Sequence, residues 1–315
     1  MRKIGIVFPG QGSQTVGMLS DVAKEFPEVE KTYAIASQVL GYDLGELIQQ
    51  GPAEELDKTI HTQPALLAAS YAVWQIIQNR SKNLFKPSLL AGHSLGEYTA
   101  LVCANALSFK DAIKLVAARG QYMQDAVPAG VGALAAIVGL EDSVVREICK
   151  TVLTQSEVLT PANFNSIGQV VIAGHKSAVL RALVLAKEKG ARLAKLLPVS
   201  VPSHCILMNP AAERLAKLLA EIPIESPKLP VLNNVDVTIY QNANEIRDGL
   251  VRQLFMPVRW VEIIQYFAGQ GVTEIIECGP GKILAGLIKR INPEIQCAPT
   301  ADLTGLQGLL EKSVV

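Results

Sequence analysis

Three times along this chain a short apolar run with β character breaks at a glycine-bearing turn and gives way to a helical pattern. The pairs are "KIGIVF" before "PGQGSQ", "SLLAG" before "HSLGEYTALVCANAL", and "TEIIEC" before "GPGKILAGLIKRI". Strand, turn and helix in that order predict an α/β fold on a mainly parallel sheet, because parallel neighbours need a crossover and a helix supplies it. The middle of the chain breaks the rule. Between Gly130 and Pro198, "GALAAIVGL", "EDSVVREICKTV", "EVLTPANF", "GQVVIAG", "HKSAVLRALVLAKEKG" and "ARLAKLLPVS" read as β-α-β-β-α-β, the ferredoxin-like order. Pro128 with Gly130, and Pro198 with Pro202, punctuate its ends. The expectation is a large α/β domain over residues 1–128 and 199–315, a small ferredoxin-like lobe over 129–198 inserted into it, and a cleft between them.

The chain is long enough for such a core, with 315 residues of which 49% are hydrophobic. Its 29 Lys and Arg balance its 29 Asp and Glu, so no overall field draws it to nucleic acid or to an anionic membrane. Apolar runs such as "GALAAIVGL" fall well short of the ~20 residues that span a bilayer. The opening "MRKIGIVFPGQGSQ" breaks at Pro9 and Gly10, as a buried strand does and a secretion signal does not. A cytoplasmic protein is expected. Cys103, Cys149, Cys205, Cys278 and Cys297 are an odd, scattered set without a C-x-x-C pair, which argues against a disulfide framework and against a zinc site. They are expected to be reduced and structural.

Ser94 stands in G-x-S-x-G, between a strand-like "SLLA" and a helix-like "EYTALVCANAL". In that setting the pattern is a nucleophile elbow: glycines let the turn close, the hydroxyl projects above the strand end, and the helix N-terminus turns N–H groups towards it. A serine capping a glycine-rich turn is the structural alternative. The flanking strand and helix favour the nucleophile.

A nucleophilic serine needs a base, and the chain offers His61, His93, His175 and His204. His93 adjoins Ser94, so the two side chains should diverge. His175 follows "VIAG" at a helix start inside the lobe, where a capping or exposed role is expected. His204, in "VSVPSHCILMNP", lies where the lobe returns to the main domain, at the expected cleft. His61, in "IHTQPAL", stays open beside it. Cys205 is discounted as a thiol nucleophile, because adjacent residues rarely point together.

The stretch "SFKDAIKLVAARGQYMQDAV" opens on a Ser108/Asp111 capping pattern and sets Ala112, Leu115, Val116, Tyr122 and Met123 on one apolar helix face. Arg119 falls on that face. An inward guanidinium needs a carboxylate or several acceptors, so Arg119 marks either an internal ion pair or a site kept for an anionic substrate. Two glycine loops fail as nucleotide motifs. After Gly10-x-Gly12 the required third glycine is Thr15, and "GPGKIL" lacks both the spacer and the hydroxyl residue of a phosphate loop. The first can still lend a backbone N–H to an oxyanion.

Taken in order, "FPGQGSQ", "TQPAL", "GHSLGEYTALV", "AARGQYMQ", "NFNSIGQVVIAG", "VSVPSHC", "QLFMPVRW" and "ECGPGKIL" resemble the malonyl-CoA:acyl carrier protein transacylases of fatty acid synthesis, over about residues 4 to 291. The resemblance implies an α/β-hydrolase-like large domain and ping-pong malonyl transfer between malonyl-CoA and holo acyl carrier protein, with no cofactor and no metal. It implies Ser94 as nucleophile, His204 as base, and the backbone N–H groups of Gln11 and Leu95 as oxyanion donors. It further implies Arg119 as the clamp on the free malonyl carboxylate, and the Gln253 main-chain carbonyl, in place of an acid, as the group orienting the histidine. The chain departs from the family at Ile167, where proline often follows "NFNS", and at Met256, where asparagine commonly precedes "PVRW"; neither is expected to touch the chemistry. A monomer is expected. Lys187, Lys189, Arg192 and Lys195 form a candidate basic docking patch for an acidic carrier protein.

Overall fold

The computed structural model describes residues 3–80, 86–199 and 201–312. Its strands are β1 (Lys3–Phe8), β2 (Leu89–Gly92), β3 (Gly132–Val138), β4 (Leu159–Ser166), β5 (Gln169–His175), β6 (Leu193–Leu196), β7 (Val231–Leu232), β8 (Val272–Glu277) and β9 (Gln296–Pro299). They divide into two sheets.

The first runs β7-β2-β1-β8-β9 with every pairing parallel. Successive residues of a strand face opposite sides of its sheet, and both sides are covered here. Ile6, Phe8, Leu90 and Ile276 pack into the core that holds the long helix Thr59–Arg80 and the helix Phe109–Asp125. Val7, Leu89, Ala91 and Ile275 pack on the other side against Trp260, Ile263, Phe267, Leu284 and Ile288. Register fixes where the loops emerge. Phe8 lies opposite Gly92, so the turns after β1 and β2 leave the sheet side by side at its carboxyl end, where open α/β sheets bind ligands.

The second sheet is antiparallel in the order β4-β5-β3-β6, and the helices Asp142–Thr151 and Lys176–Glu188 complete the β-α-β-β-α-β order expected from the sequence. Ala135, Ile137, Val170 and Ile172 bury one face against Val145, Ile148, Val179 and Ala182 of those helices. The helix-free face carries Leu134, Ala162, Val171 and Ala173, which pack with Cys205 of the large domain. We propose residues 129–198 as the inserted lobe, with 1–128 and 199–315 as the large domain. Main chain ties β4 to the loop before the helix Trp260–Gly269. The Phe164 N–H donates to the Val258 carbonyl at 3.0 Å, and the Val258 N–H to the Ala162 carbonyl at 2.9 Å.

Among the described residues no helix is long and apolar enough to cross a membrane. One expectation needs correction. Tyr122 does not share the buried face of Ala112, Leu115, Val116, Arg119 and Met123; it is half-buried, with the Arg214 guanidinium 4.0 Å over its ring.

Candidate active site

Ser94 is the residue on which β2 turns into the helix Gly96–Cys103, and its φ of 51° is a left-handed conformation that costs an L-residue about 1 to 3 kcal/mol. Crowding enforces the turn. A Cβ on Gly92 would sit 1.8 Å from the carbonyl carbon of Gly96, and one on Gly96 would sit 2.1 Å from the Phe8 carbonyl oxygen. Only glycine fits at either side. The Asn234 amide holds the turn across the chain: Ser94 N–H donates to Asn234 Oδ1 at 2.8 Å, and Asn234 Nδ2 donates to the Gly92 carbonyl at 2.7 Å.

His204 reaches the serine from the segment that follows the lobe. It too has a positive φ, 62°, is held by a 2.9 Å bond from its N–H to the Leu254 carbonyl, and is buried. Its Nε2 lies 2.8 Å from Ser94 Oγ and its Nδ1 lies 2.7 Å from the Gln253 carbonyl oxygen. A carbonyl only accepts, so Nδ1 carries the hydrogen and Nε2 is left to accept from the serine hydroxyl. Burial, and then the Arg119 charge, hold the ring well below the usual histidine range, at about 3, against the raising effect of the Gln253 carbonyl. The ring is therefore neutral at neutral pH and able to take a proton. In a chain carrying 13C-labelled histidine, the His204 Cε1 resonance, assigned by its loss in His204→Ala, is expected to stay at its neutral-ring position from pH 8 down to pH 5. A protonation step near 6.5 would show that the fold does not hold the ring neutral.

Arg119 lies in the helix Phe109–Asp125, whose start is capped by Ser108 Oγ accepting from the Asp111 N–H. The side chain is 2% exposed, and it meets amides where an ion pair was one expectation. Nη1 donates to Gln63 Oε1 at 2.8 Å; Nη2 donates to Gln253 Oε1 at 3.0 Å and to Ser94 Oγ at 3.3 Å; Nε has no hydrogen-bond partner among the described residues. The Tyr98 ring lies 5.3 Å from the guanidinium carbon. Two neutral acceptors and a serine hydroxyl position the guanidinium without neutralising it, which leaves it able to bind an anion.

Ser94, His204 and Arg119 line one cavity of about 170 Å³, roofed by Leu134 and Val171 from the helix-free face of the lobe. Gln11 and Leu95 line it as well, from the loop after β1 and the turn after β2. The backbone N–H groups of both are left out of the turn hydrogen bonds among the described residues.

Comparison with known proteins gives the chain a family. The Acyl transferase domain family matches residues 6–306. The malonyl CoA-acyl carrier protein transacylase of Escherichia coli K12 is 53% identical over 99% of this chain and 100% of its own length. That of Haemophilus influenzae is 55% identical over 99% of both. This chain belongs to the malonyl-CoA:acyl carrier protein transacylases. Among solved structures, the transacylase of Coxiella burnetii superposes with a TM-score of 0.95 at 50% identity, covering 100% of this chain and 98% of that one. A malonyl-transacylase solved in complex with its type II PKS acyl-carrier protein gives 0.96 at 54% identity, covering 98% and 99%.

Among the described residues no other histidine of this transacylase is hydrogen-bonded to the serine side chain. His61 lines no part of the cavity; its Nδ1 lies 2.9 Å from the Glu55 carbonyl oxygen and its ring meets Tyr42. His175 stands at the start of the helix Lys176–Glu188 without a side-chain capping bond and accepts at Nδ1 from the Val158 N–H. His93 does reach the cavity, but its Nε2 is tied to Asn165 Oδ1 at 2.8 Å and its ring edge to Trp260. Cys205 donates to the Pro202 carbonyl, and burial pushes its thiol up to about 12, far from a thiolate. Of the departures, Ile167 projects to solvent in the turn between β4 and β5. Met256 follows the helix Ala243–Gln253, where its N–H donates to the Arg252 carbonyl at 2.9 Å. Sequence reasoning missed Gln63, Glu97 and Asn234. Gln63 and Glu97 stood inside the quoted motifs "TQPAL" and "GHSLGEYTALV" without a catalytic residue type to mark them; Asn234 stood in none.

Proposed function

We propose that this chain moves a malonyl group from malonyl-CoA to the phosphopantetheine thiol of acyl carrier protein through an ester on Ser94, supplying malonyl carrier protein for fatty acid synthesis in the cytoplasm. One observation carries the reading. Ser94 Oγ has a neutral imidazole nitrogen on one side at 2.8 Å and a guanidinium on the other at 3.3 Å, so a base for the hydroxyl and a seat for the substrate's far charge share one small cavity.

In the first half-reaction His204 Nε2 takes the Ser94 proton while Oγ attacks the thioester carbonyl. The oxyanion is received by the N–H groups of Gln11 and Leu95, donors of the kind that steady charge as it develops. The imidazolium, steadied through Nδ1 by the Gln253 carbonyl, returns the proton to the departing coenzyme A sulfur as the carbon–sulfur bond breaks. In the second half His204 deprotonates the carrier thiol, which attacks the ester carbonyl, and as the carbon–oxygen bond breaks the imidazolium returns that proton to Ser94 Oγ. Arg119 grips the malonyl carboxylate throughout and keeps the thioester carbon over the serine. The carrier protein docks by charge on the exposed Lys187, Lys189, Arg192 and Lys195 of the lobe.

The test is the intact mass of the pure chain after mixing with malonyl-CoA alone, followed by peptide mapping. A gain of one malonyl group on the peptide that contains Ser94 is expected. No gain, or a gain elsewhere, ends the reading. Release of free malonate as fast as coenzyme A, with carrier protein present, would make the chain a hydrolase instead.

A further inference from the structure

Behind the cavity lies a buried carboxylate that the chemistry above does not use. Glu97 is fully buried in the first turn of the helix Gly96–Cys103, and every neighbour that reaches it is a donor. The Tyr240 hydroxyl donates to Oε1 at 2.5 Å; Gln253 Nε2 and the Asn234 N–H donate to Oε2 at 2.8 and 3.1 Å.

The Gln253 side chain is the link. An amide has a donor end and an acceptor end, and turning it over exchanges them. Here Nε2 faces Glu97 Oε2 and the Ser94 carbonyl oxygen, both acceptors, and Oε1 therefore faces Arg119 Nη2. Reversed, the amide would press its NH2 against the guanidinium and its oxygen against the carboxylate. Glu97 thus selects the one orientation in which Gln253 holds Arg119, and it does so without occupying the guanidinium itself.

We infer that Glu97 is a positioning residue for acyl selectivity, fixing the Gln253 amide so that Arg119 stays aimed into the cavity and open to a substrate carboxylate. The inference rests on the reading of Arg119 as the malonyl clamp. What matters is acceptor reach, more than charge. In Glu97→Gln the amide oxygen still accepts from Gln253 Nε2 and the Asn234 N–H, while the Tyr240 hydroxyl turns to accept from the new NH2. In Glu97→Asp the charge is kept but the side chain is one methylene shorter and draws back from Gln253.

The experiment measures Ser94 acylation rates from malonyl-CoA and from acetyl-CoA, whose acyl group has no carboxylate for Arg119 to hold. Glu97→Asp is expected to lower the malonyl-to-acetyl ratio roughly 10- to 100-fold, the scale of a hydrogen bond to a charged group. Glu97→Gln is expected to keep the ratio within about threefold of the wild type, a change under 1 kcal/mol. A residue that only supports the fold would lower both rates together. Gly249→Ala perturbs the network from outside the cavity, since a Cβ there would lie 2.2 Å from the Tyr240 hydroxyl oxygen; it should move the ratio as Glu97→Asp does. Equal losses on both substrates in Glu97→Asp, or a ratio kept in Asp and lost in Gln, would overturn the inference alone. A wild type with no malonyl preference would take down the reading of Arg119 and this inference with it.

Discussion

Ser94→Ala is expected to stop malonyl transfer, lowering kcat by roughly 10⁵-fold or more, as loss of the nucleophile does in serine enzymes that work through an ester. The ester cannot form without Oγ, and what remains is direct attack by the carrier thiol on a bound thioester. The turn itself should survive, because its supports are the Ser94 N–H bond to Asn234 and the close approach of Gly96 to Phe8, neither of which uses the hydroxyl. The measurement is malonyl carrier protein formed over time, with the intact mass of the variant as control. Transfer within about tenfold of the wild type would mean that no serine ester lies on the pathway.

Arg119→Ala should separate substrates instead of stopping the reaction. Leaving a substrate carboxylate buried without its partner costs ~2 to 5 kcal/mol, which is roughly 30- to 5,000-fold on malonyl transfer. Acetyl transfer, with no carboxylate to place, is expected to change by less than about threefold. The variant should also lose stability, because Gln63 Oε1 and Gln253 Oε1 are left as buried acceptors without their donor, at about 1 to 3 kcal/mol each. Acylation rates for the two thioesters, taken with a thermal unfolding curve, keep the effects apart. Arg119→Lys should recover only part of the selectivity, since an ammonium cannot span Gln63, Gln253 and a carboxylate in one plane. Equal losses on both thioesters would remove Arg119 from the choice of substrate.

Much of this site could be read from the chain because its signals are local. The elbow is written in consecutive residues, strand then glycine, serine, glycine then helix, and the inward turn of Arg119 in the helical spacing of Ala112, Leu115, Val116 and Met123. Both sheets follow from the same kind of evidence. The choice of base was less local: the place of His204 at the return of the lobe favoured it only modestly over His61 until the resemblance in "VSVPSHC" was added, and tertiary contact puts one beside the serine and the other beside Glu55. The partners of Arg119 were harder still. Gln63 and Gln253 lie 56 and 134 residues from it in sequence, and glutamine carries no charge or reactivity to advertise a site. Asn234 and Glu97 were invisible for the same reason, since what they do is hold other side chains.

The stitch between Phe164, Val258 and Ala162 makes the cleft a gauge of set calibre more than a jaw. Widening it would mean breaking two main-chain hydrogen bonds beside Asn163, which lines the cavity, so the lobe wall keeps a fixed distance from the serine.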